Sequence, residues 1–390
     1  MLLGAQGVSW LGDRMVAVAL AFAVLEVGGS PTDVGLVLAC RTLPTVAFLL
    51  VGGVVADRLS PRTVMLAADL WRVVTQGLMA ALVIAGAAEI WSVALLAALT
   101  GAGTGFFNPA STGLLPAVVA PERLQQANGL RATVMSGGEI VGPALAGVIV
   151  AAAGAGWALA VDAASFAVSA LFLARVRLPA RAENEPASFL SDLREGWDEF
   201  RVRRWVWTFV LWAGLANLLW GAWSALGPVV ADRELGGAAA WGTVLAAMGV
   251  GALVGSVLAV RARPRRPLLL AAATLNLFAI PIGALAAGVP VAILAGAALF
   301  AGVATMLGNS VWESTLQRHI PASSLSRVAA YDWFGSLAFQ PIGLIVWGPV
   351  AEAIGLGPAL WTAFALFVAL NLALLSVPDV WRLREPAGAH

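Results

Sequence analysis

The chain has 390 residues, of which 60% are hydrophobic and 12% charged, and its mean hydropathy is +0.87. Soluble domains carry about 25% charged residues, so a soluble fold of this length would lack the polar surface that water requires. The net charge of +1 indicates no particular partner, and a single cysteine, Cys40, excludes a disulfide framework or a cysteine-based metal cluster. The composition therefore predicts a protein that has the lipid bilayer as its solvent.

A helix needs about 20 apolar residues to cross the hydrocarbon core of a bilayer. By this measure the sequence predicts twelve transmembrane helices, numbered here as spans 1 to 12. Spans 1 to 6 lie near 2–27, 33–56, 64–87, 91–113, 129–152 and 157–177. Spans 7 to 12 lie near 206–230, 240–260, 267–288, 290–313, 328–350 and 357–380. Span 1 lacks a basic leader and contains Asp13 and Arg14, so we interpret it as a retained helix and not as a signal peptide.

One long polar stretch, from Arg175 to Arg204, separates the two sets of spans. Its portion SFLSDLREGWDEFRVRRW has apolar residues at helical spacing, which is typical of an amphipathic helix on a membrane surface. We therefore predict an all-α membrane protein with an N-terminal six-helix bundle at 1–177 and a cytoplasmic amphipathic linker at 178–204. A C-terminal six-helix bundle at 205–382 and a cytoplasmic tail at 383–390 complete the prediction.

The arginines test this layout, since all 23 basic residues are arginine. If both termini are cytoplasmic, every arginine falls on the cytoplasmic side except Arg14, Arg41 and Arg72 within spans and Arg233 outside. Such a bias is what the positive-inside rule demands, and an odd number of spans would remove it. The sequence thus predicts a multi-pass protein of a bacterial cytoplasmic membrane, with both termini in the cytoplasm.

The segment between spans 2 and 3 reads GGVVADRLSPR and contains Gly53, Asp57, Arg58 and Arg62. It resembles the Gly-x-x-x-Asp-Arg-x-Gly-Arg-Arg loop of the major facilitator superfamily, at the position where that family has it. Ser60 and Pro61 replace the second glycine and the first late arginine, which indicates a different turn. We expect this loop to act as a conformational switch, with Asp57 docking against Arg327 at the start of span 11.

Span 5 contains SGGEIVGPALAG, which is similar to the Gly-x-x-x-Gly-Pro-x-x-Gly-Gly antiporter motif of the same superfamily. The motif residues are Gly138, Gly142, Pro143 and Gly147. Small residues four apart let another helix approach closely, and we expect span 8 to be that partner, through Gly251 and Gly255. Simple helix packing explains the glycines equally well, so the motif favours antiport without establishing it.

Longer strings, among them VSWLGDRM, ADLWR, FFNPA and REGW, resemble one bacterial subgroup of enterobactin exporters, macrolide efflux proteins and related drug:proton antiporters. The resemblance covers nearly the whole chain and implies two six-helix bundles with pseudo-two-fold symmetry. It also implies export of a small drug-like, macrolide-like or siderophore-like compound, driven by the proton gradient without a cofactor. Span 4 departs from the better-known drug antiporters because LTGAGTGFFNPA lacks their buried arginine.

Ionisable side chains inside the bilayer are costly and usually functional. By rise per residue, Asp13 and Glu139 lie near the midplane, so we predict that one or both carry the coupled proton. A fixed ion pair with Arg41 or Arg14 is the alternative. Asp69 and Arg72 are three residues apart on span 3, which predicts a mutual pair. Asp162, Glu313 and Asp332 fall near span ends, where we expect them to be solvated.

The second half offers polar and aromatic side chains for a substrate cavity. The candidates are Asn217, Trp220, Asn276, Trp312 and Gln340. Indole rings stack on amphiphilic compounds, although a lipid-facing position explains a tryptophan equally well. We expect a small-molecule substrate, protons and the lipid bilayer as partners, no nucleic acid, and a monomer.

Other functions find less support. Uptake of a small molecule, by proton symport or facilitated diffusion, is the nearest alternative to export. A membrane-embedded enzyme is remote, because the chain has no His-Glu-x-x-His and no Gly-x-Ser-x-Gly. Since there is no lysine, a Gly-x-x-x-x-Gly-Lys nucleotide loop is excluded and ATP cannot drive transport within this chain. Neither a metal site nor catalytic residues are expected.

Overall fold

A computed structural model describes residues 2–118, 124–175, 197–198, 200–262 and 264–383. Within these ranges every regular element is a helix. The first six helices are α1 (Leu2–Glu26), α2 (Pro31–Arg58), α3 (Pro61–Ile84), α4 (Ile90–Val118), α5 (Leu124–Ala153) and α6 (Ala155–Arg175). They are followed by α7 (Arg204–Val230), α8 (Ala238–Arg261), α9 (Pro267–Asn276), α10 (Ile280–Ala286) and α11 (Val291–His319). The last are α12 (Ala322–Leu337), α13 (Gln340–Ile354), α14 (Leu356–Leu375) and the short α15 (Pro378–Arg382).

The described residues form 12 helical segments that are long and apolar enough to cross a membrane. They match the twelve predicted spans to within a few residues, so the predicted number and order of spans are confirmed. Helices satisfy every backbone hydrogen bond within one segment, which hydrocarbon demands. A linker helix was also predicted at 178–204, and of its residues only 197–198 and 200–204 are described, mostly as helix. The rest of that prediction lies outside the described residues.

Three spans are less regular than the sequence predicted. Span 7 continues beyond α7 through a π-helical turn, Ala231–Leu235, which ends at Gly236 with a φ of 92°. Span 9 is interrupted by the 3₁₀ turn Leu277–Ala279, and span 11 by the break between α12 and α13. Pro281 and Pro341 follow these two breaks. Proline has no N–H and clashes with the carbonyl four residues earlier, which accounts for both interruptions.

Contacts divide the described chain into two compact units. Unit 1 consists of described residues in Met1–Arg181, Ser224–Ala246 and Leu344–Ala353. Unit 2 consists of described residues in Ala182–Trp223, Ala247–Gly343 and Ile354–His390. The domain boundaries predicted at the linker and the cytoplasmic tail stay predictions.

Helix α6 packs against α1 and α3 in unit 1. Both of its ends are capped by charged side chains from other helices. The Ala155 N–H donates to Glu26 Oε1 at 2.8 Å, and Arg62 donates to the carbonyls of Leu173 and Ala174 at 2.8 and 2.6 Å. An acid at a helix N-terminus and a cation at its C-terminus both complement the helix dipole. These caps fix the register of α6 against its neighbours.

In unit 2, glycines bring α8 and α11 into close contact. A Cβ on Gly251 or Gly255 would collide with the α11 backbone at Leu299 or Val303, and one on Gly302 would collide with α8. The described end of the linker packs on the same unit, because the rings of Trp197 and Phe200 each contact that of Tyr331 in a tilted arrangement, at centroid distances of 5.6 Å. Close glycine contacts between α8 and α11, together with aromatic contacts, therefore hold unit 2 together.

Candidate functional site: a buried charge cluster in unit 1

Asp13 lies in the middle of α1 and accepts hydrogen bonds from two arginines on two other helices. Arg41 Nη2 of α2 lies 3.0 Å from Asp13 Oδ1, and Arg72 Nη1 of α3 lies 3.3 Å from Asp13 Oδ2. The Asp13 side chain is 17% exposed and that of Arg41 is 16% exposed. Asp13 therefore ties α1, α2 and α3 together and keeps limited access to solvent.

Arg72 is the fully buried centre of this cluster, with none of its side chain exposed. It forms ion pairs with both Asp13 and Asp69. Its guanidinium carbon also lies 4.2 Å from the ring centroid of Phe107 and 4.1 Å from that of Phe166. Two carboxylates and two aromatic faces replace the water that a buried guanidinium loses.

Asp69 is equally buried, and the predicted mutual pair with Arg72 is confirmed. The second carboxylate oxygen of Asp69 accepts a hydrogen bond from the Ser169 hydroxyl at 2.6 Å. Because Ser169 belongs to α6, Asp69 connects α3 to α6. With both oxygens used, this carboxylate has a fixed structural partner.

Asp162 is a third carboxyl group in this region, and sequence reasoning missed it. The prediction of a solvated position near a span end was wrong, because Asp162 is 0% exposed on the face of α6 that packs against α1. Its Oδ1 accepts a hydrogen bond from Ser165 at 3.4 Å, whereas its Oδ2 has no hydrogen-bond partner among the residues that the structure describes. A signal was present, since Asp162, Ser165 and Ser169 follow the helical spacing of one face.

Glu139, the other predicted proton carrier, lies outside this cluster. Its Oε1 is 3.1 Å from Nε of Arg14, and the two side chains are 41% and 38% exposed. The Arg14 guanidinium carbon also lies 4.6 Å from the ring centroid of Trp10. Both predicted carriers thus have arginine partners, Asp13 in a nearly closed site and Glu139 in an open one. Which of them carries a proton stays a prediction.

The glycines of span 5 face two different helices. A Cβ on Gly138 would lie 2.9 Å from the Trp10 ring, and one on Gly142 would lie 2.5 Å from the Arg14 Cβ, so both contact α1. A Cβ on Gly147 would instead lie 2.6 Å from the carbonyl of Ala238, at the start of α8. Span 8 is therefore a partner of this motif, as predicted.

The residues of span 8 that we named were nevertheless wrong. Gly251 and Gly255 pack against α11, and Gly242 makes the contact with α5 through Pro143 and Gly147. Helix α5 continues through Pro143 from Leu124 to Ala153. The error arose because span 8 contains several glycines, and their spacing does not say which neighbouring helix each of them meets.

The sequence predicted a loop for the conformational-switch segment, but most of this segment is helical. Helix α2 continues to Arg58, so Gly53, Asp57 and Arg58 belong to its last turns, and Leu59 and Ser60 connect it to α3. Gly53 has no side chain, and the side chains of Asp57, Arg58 and Arg327 lie outside the described part of the structure. Arg62 is described, and it caps the C-terminus of α6. The docking of Asp57 against Arg327 stays a prediction.

The cavity candidates of the second half occupy separate places in unit 2. Trp220 stacks on Phe278 at a centroid distance of 3.7 Å, whereas Trp312 stacks on Phe209 at 4.1 Å and donates its indole N–H to Asp332 at 3.1 Å. Trp220 and Phe209 are 11 residues apart on α7, which is about 16 Å along a helix. The structure thus shows two aromatic clusters.

The three amide residues among the candidates, Asn217, Asn276 and Gln340, differ in the hydrogen bonds that they make. Asn217 donates to the carbonyls of Ala213 and Ser336 at 3.1 and 2.9 Å. Asn276 accepts a hydrogen bond from Asn371 on its backbone carbonyl at 3.3 Å, and no described group donates a hydrogen bond to its buried side-chain oxygen. Gln340 is half-buried at the start of α13. As substrate contacts, all five candidates stay predictions.

Together, the twelve apolar helices and the buried charges define a polytopic α-helical membrane protein. Residues 2–339 match the family model described as Major Facilitator Superfamily. The chain is 30% identical over 403 residues to the multidrug efflux pump Tap of Mycolicibacterium fortuitum, covering 96% of this chain and 93% of Tap. It is 23% identical over 228 residues to macrolide efflux protein A of Streptococcus pyogenes, covering 58% and 56% of the two chains. The chain belongs to the Major Facilitator Superfamily, and it is a transporter and not an enzyme.

Solved structures confirm the predicted fold class. The nucleoside transporter NupG matches with a TM-score of 0.71 at 15% identity, covering 98% of this chain and 99% of NupG. A bacterial homologue of the human lysosomal transporter Spinster, in an inward-facing and unoccupied conformation, matches with a TM-score of 0.72 at 16% identity, covering 99% and 97%. At these identities the likeness shows the fold alone.

Proposed function

We propose that this transporter exports small lipophilic or amphiphilic compounds in exchange for protons. The observation that carries the proposal is Asp13, a carboxylate in the middle of a transmembrane helix that joins two arginines on two other helices. A charged group in this position is costly and calls for a reason. A proton-binding site that also holds three helices together supplies one.

Protonation would neutralise the Asp13 carboxylate, which is the shared partner of the ion pairs with Arg41 and Arg72. In a site of low dielectric, removing one partner of a buried pair costs on the order of 3–5 kcal/mol, which is enough to change helix packing. The partial exposure of Asp13 gives the proton a way in from water. Proton binding at Asp13 and movement of α1 against α2 and α3 are thereby coupled.

The substrate class rests on two separate supports. The relatives that match the chain carry the names multidrug efflux pump and macrolide efflux protein. Unit 2 contributes aromatic surfaces such as the Trp220–Phe278 stack, which suit flat apolar molecules. The asymmetric distribution of arginine supports a bacterial cytoplasmic membrane with both termini in the cytoplasm. We propose that the protein works as a monomer and without a cofactor.

Proteoliposomes that contain the purified full-length protein and a trapped pH dye test this function. A pH gradient is imposed and a panel of lipophilic compounds is added, with protein-free liposomes as the control. We expect compounds that are substrates to collapse the gradient in wild type and to move against the proton flow. Movement in the same direction as protons would replace export by uptake. Protein-dependent movement without any proton flux would contradict proton coupling.

A further inference from the structure

We propose that Asp162 is the residue that holds the exchangeable proton of the buried cluster while Asp13 is ionised. The inference deepens the proposed proton-coupled function and rests on it. The observation behind it is a carboxyl group that is 0% exposed, in the middle of unit 1, with one oxygen that no described group contacts by a hydrogen bond. Buried charges are normally paired, so an unpaired buried carboxyl is expected to bind a proton.

The charges around Asp162 lead to the same conclusion. The groups that act on it electrostatically are Asp13 of α1, Arg41 of α2 and Arg72 of α3. Both arginines are already paired with Asp13, and Arg72 is paired with Asp69 as well. Counting these residues, three carboxyl groups share two guanidinium groups. One proton makes the cluster neutral, and Asp162 is the carboxyl group without an ion pair.

Helix α5 also packs against α6, and its described charged residues make other contacts. Glu139 is paired with Arg14 on the α1 side, and Arg131 lies 3.5 Å from the Ser111 hydroxyl. Within α6, the nearest polar side chain is Ser165, which donates to Asp162 Oδ1. This leaves Oδ2 of Asp162 as the atom that would carry the proton.

The proposed step is a proton exchange between two carboxyl groups. In one state Asp13 is ionised and holds both arginines, and the O–H bond is on Asp162. In the other state the proton has passed from Asp162 to Asp13. The O–H bond on Asp162 is broken and one on Asp13 has formed, so Asp13 loses its hold on the arginines and Asp162 is the carboxylate that they neutralise. The total charge of the cluster is the same in both states, so neither leaves an unbalanced charge inside the bilayer. Asp13, the more exposed group, exchanges with water.

Infrared spectroscopy of the purified full-length protein at neutral pH tests where the proton is. Wild type should show the C=O stretching band of a protonated carboxyl group, and Asp162→Asn should lose it. Asp232→Asn, in the exposed turn after α7, should keep it. A wild type without the band, or an Asp162→Asn variant that retains it, overturns the proposal.

Matched substitutions of two serines on α6 identify the carboxyl group that carries the proton. Ser165 donates to Asp162 and Ser169 donates to Asp69. Ser165→Ala should shift the band to higher frequency, because a carbonyl that loses a hydrogen bond is stiffer, while Ser169→Ala should leave it unchanged. A shift only in Ser169→Ala would assign the proton to Asp69, and no shift in either variant would assign it elsewhere. Both results overturn the proposal.

Transport measurements separate this proposal from the function on which it rests. If wild type shows no substrate-linked proton flux, the proposed function fails, and the infrared bands still decide the protonation of Asp162. If wild type shows the flux, Asp162→Asn should reduce it to the level of protein-free liposomes and still allow substrate to move down its own gradient. Full proton coupling in Asp162→Asn would overturn the role of Asp162.

Discussion

Units 1 and 2 bury polar groups in different ways. In unit 1 the buried groups include ionisable ones, and Asp13, Asp69 and Arg72 compensate one another across two helices. In unit 2 indoles donate the polar contacts, as where Trp212 donates to Asn371 at 3.0 Å and Trp312 donates to Asp332 at 3.1 Å. Ionised groups persist in hydrocarbon only when they are paired, whereas indoles and amides need one hydrogen bond each. We infer that proton binding belongs to unit 1 and that unit 2 provides surfaces for apolar substrate.

The largest effect is expected from removing the central cation of unit 1. Arg72→Gln leaves Asp69 buried without its guanidinium and should lower the free energy of unfolding by about 3–5 kcal/mol. Thermal unfolding of the detergent-solubilised protein measures the loss. Arg201→Gln is the control, because its pair with Asp198 is largely exposed and contributes about 0–1 kcal/mol. Equal melting temperatures for the two variants would show that the cluster does not stabilise unit 1.

The next prediction distinguishes Asp13 from Glu139, the two carboxylates that the sequence predicted as proton carriers. Asp13→Asn should abolish substrate-driven proton flux in proteoliposomes, because Asp13 is partly exposed to water whereas Asp69 and Asp162 are fully buried. Glu139→Gln should reduce the flux only in part, because the Arg14–Glu139 pair is more than a third exposed and water can replace either partner. The reverse order of effects would move the proton site from the cluster to α5.

A smaller effect is expected where α5 meets α1 in unit 1. Gly142→Ala would place a Cβ 2.5 Å from the Arg14 Cβ and close to the Leu11 carbonyl, so overpacking should cost about 1–3 kcal/mol. Gly137→Ala, five residues away on the same helix, is the matched control because its Cβ would meet nothing within 4 Å. Thermal unfolding distinguishes them. Equal destabilisation of both variants would indicate a helix-wide effect.

The smallest effect is expected from the aromatic surface of unit 2. Trp220→Leu removes a ring stacked on Phe278, and loss of one stacking contact to a substrate costs about 0.5–1.5 kcal/mol. Substrate affinity should fall by about 2- to 12-fold, measured as the Kd of a transported compound. Trp361→Leu, at an exposed position on α14, should leave the Kd unchanged. If both variants bind as wild type does, the Trp220 cluster is not a substrate surface.

Local patterns predicted a large part of this molecule. Hydropathy predicted the twelve spans, since a bilayer demands apolar helices of fixed minimum length. Helical spacing predicted the Asp69–Arg72 pair, because residues three apart share a face. It also predicted that the glycines of span 5 permit close approach, although it did not reveal that Gly138 and Gly142 contact α1 while Gly147 contacts α8.

Asp162 shows where sequence reasoning stopped. It lies only seven residues from the start of α6, so its position along the chain suggested a solvated span end. Depth in a bundle depends on which face of the helix meets its neighbours, and α6 turns this face towards α1. Gly12 permits the contact, because a Cβ there would overlap the Asp162 carboxyl and the Ser165 hydroxyl. No spacing rule connects residues 150 positions apart.

The sequence by itself determined that the chain crosses a membrane repeatedly, which segments cross, and that ionisable groups such as Asp13, Asp69 and Arg72 lie within those segments. These properties follow from the transfer energies of single side chains and from helical periodicity, both of which are local. Only the tertiary structure decided the partners of the ionisable groups: Asp13 with Arg41 and Arg72, Glu139 with Arg14, and Asp162 with no cation of its own in the described part of the chain. Ion pairing depends on distances between helices that are far apart in the chain, and periodicity on one helix cannot fix them.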